Sequence, residues 1–452
     1  MSRRGRQPWL DESAVRFGPY WLTPGIGRGN AVTLLFGGFC LICLITFNTF
    51  VQPYLLQEVL HIPKDQQGSL IGTLGFVQEA IVILLVTLVG ASSDRFGRRV
   101  IFVGGLVLLA TGFAVYPLAE TVPQLFAVRI FYAFGFAGAS VMLHICLAEY
   151  TQNATRGRWM GTAAVFNALG VVLMALLLSR LPSWYVAVGF DSVEAIRLSY
   201  WTFSAYILVL AVVLRLGLSP GTVSTDRRDG SLKLATRGFA AARDNPRILL
   251  AYVMAFASRG DLVILTTFLS LWLVQKGVET GLTAAESTVK AGMIFGLSQL
   301  AGLLWSYPIG MIIDRFHRLN GMCVAFGLAA VGYLSLGQIS DPFGPAMLVT
   351  CVLAGMGEAS AMVAGAVLVG QEAPAASRGA VLGTFSLMGA LGIMLLTFAG
   401  GVVFDRIGQT APFTMMGVIN LVVVAGAALL RWRESASPAA VAAATHTQRT
   451  RP

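Results

Sequence analysis

Twelve continuous apolar runs, each about twenty residues or longer, decide what this chain can fold into, because a helix crossing the bilayer hydrocarbon needs about 20 largely apolar residues. The runs lie near residues 31 to 52, 68 to 91, 100 to 118, 122 to 148, 159 to 180, 199 to 217, 248 to 275, 289 to 313, 320 to 338, 344 to 369, 379 to 403 and 411 to 431. An outer-membrane barrel would show short alternating segments instead. Charged residues make up 12% of the chain, about half the ~25% of soluble domains, which excludes a water-soluble globule. A polar stretch, SPGTVSTDRRDGSLKLATRGFAAARDNPR, separates the spans six and six. The expected fold is an all-α membrane protein with twelve transmembrane helices in two pseudo-symmetric six-helix bundles, 31–217 and 248–431. A cytoplasmic N-terminal segment (1–30), a cytoplasmic central loop (218–247) and a disordered tail (432–452) complete the expected domains, and 181–198 has room for an interfacial piece.

Orientation follows from charge. With both termini inside, 24 of the 32 basic residues fall on the inner side and six on the outer, while Arg129 and Arg259 lie within spans. Basic loops stay cytoplasmic, so the chain is expected to be a multi-pass protein of the bacterial inner membrane with both termini in the cytoplasm. The net charge of +10 then reflects topology and a lipid-facing surface, and no nucleic-acid partner is expected. Cys40, Cys43, Cys146, Cys323 and Cys351 all fall in apolar runs, where a free thiol behaves as a small hydrophobe; neither a disulfide framework nor a metal site is expected. There is no phosphate-cradling loop and no zinc spacing, so the expectation is no enzyme, no cofactor, and a monomer driven by a gradient.

Span 2 runs out into Gly90-Ala-Ser-Ser-Asp94-Arg95-Phe-Gly97-Arg98-Arg99, and span 8 into Gly310-Met-Ile-Ile-Asp314-Arg315-Phe-His-Arg318, 220 residues later. Parallel repeats of this kind are one way transporters are built. These residues resemble the signature G-x-x-x-D-R-x-G-R-R of the major facilitator superfamily, and the six-plus-six layout extends the resemblance over the whole chain. The links beginning at Glu149 and at Glu372 form a looser pair. Arg129, followed by Gly135 and Gly138, is similar to the family's second motif, with its expected Gln replaced. The resemblance implies a gating latch of Gly90, Asp94, Arg95, Gly97, Arg98 and Glu149, with Gly310, Asp314 and Arg315 as the second copy. Asp94, ending its span, is placed to accept hydrogen bonds from free amides at a neighbouring helix N-terminus. By resemblance that neighbour is span 11 near Gly379, and Arg98 pairs with Glu149 to close the outward-facing state. A plain topology anchor would require neither Asp94 nor Gly97.

A charge at mid-span costs at least ~2.5 to 3.5 kcal/mol, so such residues face a cavity and find partners. Glu79, Arg259, Asp261 and Glu358 sit ten to fourteen residues from a span end. Arg259 and Asp261 are two apart, on different helix faces, and each needs another partner unless Gly260 breaks the helix. Arg259 is expected to meet Glu358 or Glu79, with one carboxylate exchanging a proton between states; a permanent ion-pair network is the competing explanation. Glu79, Asp261, Glu358 and Arg129 are the proton-coupling candidates, Arg129 by family resemblance. By the same resemblance spans 1, 4, 7 and 10 surround the cavity, making Arg259, Glu358, Asn48 and Gln52 the substrate-contact candidates. Asn48 and Gln52 share a helix face and serve equally well for helix-to-helix hydrogen bonding.

Drug exporters of the superfamily carry a Gly-Pro pair in span 5, whereas this span reads Asn167-Ala-Leu-Gly170-Val-Val. The acidic motifs of sugar porters after spans 6 and 12 are replaced by LSPGTV and RWRESASP, and the E-x-x-E-R motif of oligopeptide symporters is missing from span 1. The expectation is a proton-coupled symporter of a small organic solute by alternating access, anionic or zwitterionic solutes being favoured by Arg259. A drug or metabolite/proton antiporter is the alternative.

Overall fold

The computed structural model describes residues 15–220, 231–315, 318–374 and 377–435. Parts of the expected N-terminal segment (1–14), central loop (221–230) and tail (436–452), and residues 316–317 of the second motif copy, lie outside the described residues.

Twelve helices among the described residues are long and apolar enough to cross a membrane. In hydrocarbon every backbone N–H and C=O needs an internal partner, which a continuous helix supplies. The spans are α1 (Arg28–Glu58), α2 (Lys64–Phe96), α3 (Arg98–Val115) and α4 (Val122–Glu149). The fifth is α5 (Arg156–Leu176), continued by a 3-10 turn into the short α6 (Leu181–Val188), and the sixth is α7 (Ser192–Gly217). The second set comprises α9 (Pro246–Glu279), α10 (Ala284–Arg315), α11 (Arg318–Leu336), α12 (Pro345–Glu372), α13 (Arg378–Arg406) and α14 (Ala411–Ser435). The protein is therefore a multi-pass, all-α membrane protein. Most helices overrun the expected spans by a few residues, because polar residues at the ends continue the helix after the apolar run stops.

Two elements depart from the expected layout. Residues 218–247 hold a further helix, α8 (Ser231–Asp244), where a loop was expected. Its Ala242 is buried, its Gly238 lies against Thr384 and the Ala380 carbonyl of α13, and Tyr252 donates to the Gly238 carbonyl at 3.1 Å. Apolar and small residues thus give this otherwise charged stretch one packed face. Ahead of α1, Arg16–Phe17 and Tyr20–Trp21 pair as a small antiparallel hairpin.

The chain divides into two compact units. The first comprises 1–67, 77–228 and 273–296; the second comprises 68–76, 229–272 and 297–452. In the first unit, α3 packs on α4 and α7, and α1 on α5 and α7. An aromatic core holds them, with Phe47 stacked on Phe203 at 3.6 Å between centroids and Tyr116 on Tyr200 at 5.3 Å. In the second unit, α11 packs on α12 and α14. Its core runs through Tyr252, Met254, Phe326, Ala361 and Leu368.

Candidate functional site: buried charges within two helical units

In the first unit α2 ends on Asp94-Arg95-Phe96 and turns at Gly97, whose φ of 93° is a conformation that L side chains rarely adopt. That turn starts α3 with Arg98 facing inward. The Arg98 guanidinium donates from Nε to Glu149 Oε2 at 3.1 Å and from Nη2 to Oε1 at 3.0 Å, and its Nη1 reaches Ser93 Oγ and Asp94. Arg98 and Glu149 are almost fully buried, whereas the Asp94 side chain is 56% exposed. Arg95 is exposed, and Gly90 has open space around it.

The second unit repeats this pairing at the start of α11. Arg318 Nη1 donates to Glu372 Oε1 at 3.0 Å, and Arg247 bridges Glu372 at 2.9 Å to Glu434 at 2.7 Å. Arg247, Asp314, Arg318 and Gln371 line a cavity of about 390 Å³. Asp314 and Arg315 are exposed, and Gly310 again has open space.

Deeper in the first unit, Arg129 on α4 is 8% exposed. Its guanidinium lies 5.1 Å from the Tyr132 ring centroid and 5.9 Å from that of Tyr116, whose hydroxyl stands 3.4 Å from Nη1. The Arg129 Nε has no hydrogen-bond partner among the described residues. The buried Asn48 Oδ1 accepts from the Tyr200 hydroxyl at 3.1 Å, and Gln52 is buried with its Nε2 unpartnered among the described residues. Arg129 and Asn48 therefore border one tyrosine cluster.

The second unit holds two buried carboxyl groups. Asp261 on α9 is 0% exposed; its Oδ1 accepts from Asn420 Nδ2 at 2.8 Å, and its backbone carbonyl accepts from the Tyr333 hydroxyl at 2.6 Å. Its Oδ2 has no partner among the described residues. Glu358 on α12 is 6% exposed and accepts from Gln299 Nε2 at 3.0 Å. Both carboxyl groups act electrostatically on Tyr333, and Arg259 acts on Glu358. Five helices of one unit thus contribute to a single group of Arg259, Asp261, Gln299, Tyr333, Glu358 and Asn420.

The sequence profile of the Major Facilitator Superfamily matches residues 34–303 and 279–451, nearly the whole chain. The chain belongs to the major facilitator superfamily. It is 28% identical over 421 residues to magnetosome protein MamH of Paramagnetospirillum magneticum, covering 91% of this chain and 94% of that protein. It is also 25% identical over 364 residues to multidrug resistance protein MdtH of Escherichia coli, covering 78% and 82%. Its fold is similar to that of the nucleoside transporter NupG, with a TM-score of 0.70 at 15% identity over 88% of this chain and 98% of that one.

As in the superfamily's signature, the motif residues cluster at helix ends, and the structure brings Arg98 and Glu149 together. It separates the neighbours Arg259 and Asp261, the first exposed and the second buried, along an α9 that continues unbroken through Gly260. Glu79 on α2 is half-buried. Sequence reasoning missed Asn420, Gln299, Tyr333 and the tyrosines around Arg129. A polar residue standing alone in an apolar run, as Asn420 does, was the available signal.

Proposed function

We propose that this superfamily member is a secondary active transporter of the inner membrane, with both termini cytoplasmic, that couples protons to the movement of a small organic anion or zwitterion. The observation that carries the reading is the pair of buried carboxyl groups, Asp261 and Glu358, hydrogen-bonded to amides. A carboxyl group held by an amide can take or release a proton without dismantling an ion pair. Uncompensated buried charge is costly, so such groups are kept in membrane helices where function requires them. Arg129 supports the anionic solute: a buried guanidinium with tyrosine neighbours, its Nε unpartnered among the described residues, offers charge-assisted hydrogen bonds to a carboxylate. Arg259 offers a second cation in the other unit.

The test begins with thermal shift of the purified protein against organic acids, amino acids and drugs, since a ligand stabilises the folded carrier by mass action. The stabilising compound is then followed into proteoliposomes under an imposed pH gradient. Gradient-driven accumulation of an organic acid supports the reading; flux indifferent to the gradient overturns it.

Similarity to MdtH supports a second reading, a drug or metabolite/proton antiporter. Expression would then lower cellular dye accumulation and raise resistance, an outcome that carriage of an organic anion or zwitterion does not produce.

A further inference from the structure

Two of the twelve helices share a sequence frame. α2 carries Gly68, Gly72-Thr73, Gly90, Asp94-Arg95 and, just past its end, Gly97; α13 carries Gly379, Gly383-Thr384, Gly401, Asp405-Arg406 and, past its end, Gly408. The spacing is identical throughout, G-x3-G-T-x16-G-x3-D-R-x-G. Both closing glycines take positive φ, 93° at Gly97 and 149° at Gly408. The gating signature therefore occurs a third time, at the end of α13, on the face opposite to the one where α2 ends if the helices span alternately.

The second unit shows what this third copy does. Asp405 Oδ1 accepts the Gly68 N–H at 2.9 Å and Oδ2 accepts the Ser69 N–H at 2.6 Å, both from the first turns of α2. Lys64 O, the acceptor that Gly68 N–H would take in a regular helix, is engaged by Gln275 Nε2 at 3.1 Å. The helices touch backbone to backbone here: a Cβ on Gly68 would stand 3.0 Å from the Gly401 carbonyl, and one on Gly72 would stand 2.7 Å from the Thr397 carbonyl. Side chains larger than glycine would hold the carboxylate away from the amides.

We propose that Asp405 is a gating residue, the outer counterpart of Asp94, which pins the start of α2 to the end of α13 and must release it when the carrier opens outward. In the shared frame Gly379 and Ala380 of α13 occupy the places of Gly68 and Ser69 of α2. Alternating access then makes and breaks the Asp405 clasp as this end closes and opens. This rests on the transporter reading and its orientation, yet its readout needs neither substrate nor proton gradient.

Spin labels at Asp65→Cys and Ile407→Cys, in a background without the five native cysteines, report the separation of the two helix ends by pulsed resonance in nanodiscs. Asp405→Asn is expected to raise the ratio of separated to closed populations about tenfold, the scale of a lost charge-assisted hydrogen bond. Asp405→Glu should restore most of the closed population, and Arg406→Gln should leave the ratio unchanged. Gly68→Leu, which drives a side chain into Asp405 and Phe404, should open the same end and keeps the test decisive if Asp405→Asn fails to accumulate. Unchanged distances in both variants, or an equal response to Arg406→Gln, overturn the clasp. Altered distances without any solute flux would leave the clasp standing and count against the transport reading alone.

Discussion

Arg98 and Glu149, 51 residues apart, meet in a two-pronged ion pair whose side chains are 6% and 7% exposed. Arg318 and Glu372 repeat the pairing in the second unit, but with the Arg318 side chain 50% exposed. Removing one partner of a buried pair costs about 3 to 5 kcal/mol, whereas an exposed pair is worth about 0 to 1 kcal/mol, and without Glu149 the buried Arg98 keeps only the exposed Asp94 as a carboxylate partner. Glu149→Gln should therefore lower the thermal unfolding midpoint substantially and Arg318→Gln only slightly. Equal losses in unfolding scans of the two purified variants would show that burial does not set the difference.

Arg129 should matter for affinity. Hydrogen bonds to charged groups are worth about 1.5 to 3 kcal/mol, so Arg129→Gln should weaken binding of an organic anion by about 10- to 100-fold. Tyr116→Phe, which removes a hydroxyl 3.4 Å from the guanidinium, should have a smaller effect. Titrating the ligand-induced thermal shift measures both; a neutral or cationic ligand whose binding ignores Arg129 would redirect the assignment of solute class.

The glycines of α4 answer to packing. A Cβ on Gly135 would collide with the Leu109 backbone of α3, while one on Gly161 of α5 meets nothing within 4 Å. Overpacking costs about 1 to 3 kcal/mol, so Gly135→Ala should destabilise, whereas Gly161→Ala should be neutral or stabilising because alanine favours helix. Side-by-side unfolding midpoints decide, and indifference of the fold to Gly135→Ala would contradict the close approach of α3 and α4.

The helices were legible in the sequence because bilayer thickness sets their length. The pairing of Arg98 with Glu149 was legible through the resemblance of their motifs to the superfamily's signature. The partners of Asp261 and Glu358 were not, since neither Asn420 nor Gln299 has a periodic companion to say which helix faces it. Helix α8 was obscured by its charge, which masked the small residues that pack on α13. The frame shared by α2 and α13 does not follow the repeat of equivalent halves, which sets span 2 beside span 8 and not beside span 11.

The central claim is that protons move with solute through the acids of the second unit. It is tested most directly by recording proton entry on solute addition in proteoliposomes for the native chain, Asp261→Asn and Glu358→Gln, each with solute binding measured in parallel. The account predicts that at least one variant still binds solute while losing solute-driven proton movement and accumulation against a gradient. Undiminished proton movement in both variants, or solute flux in the native chain with no accompanying proton, would contradict it.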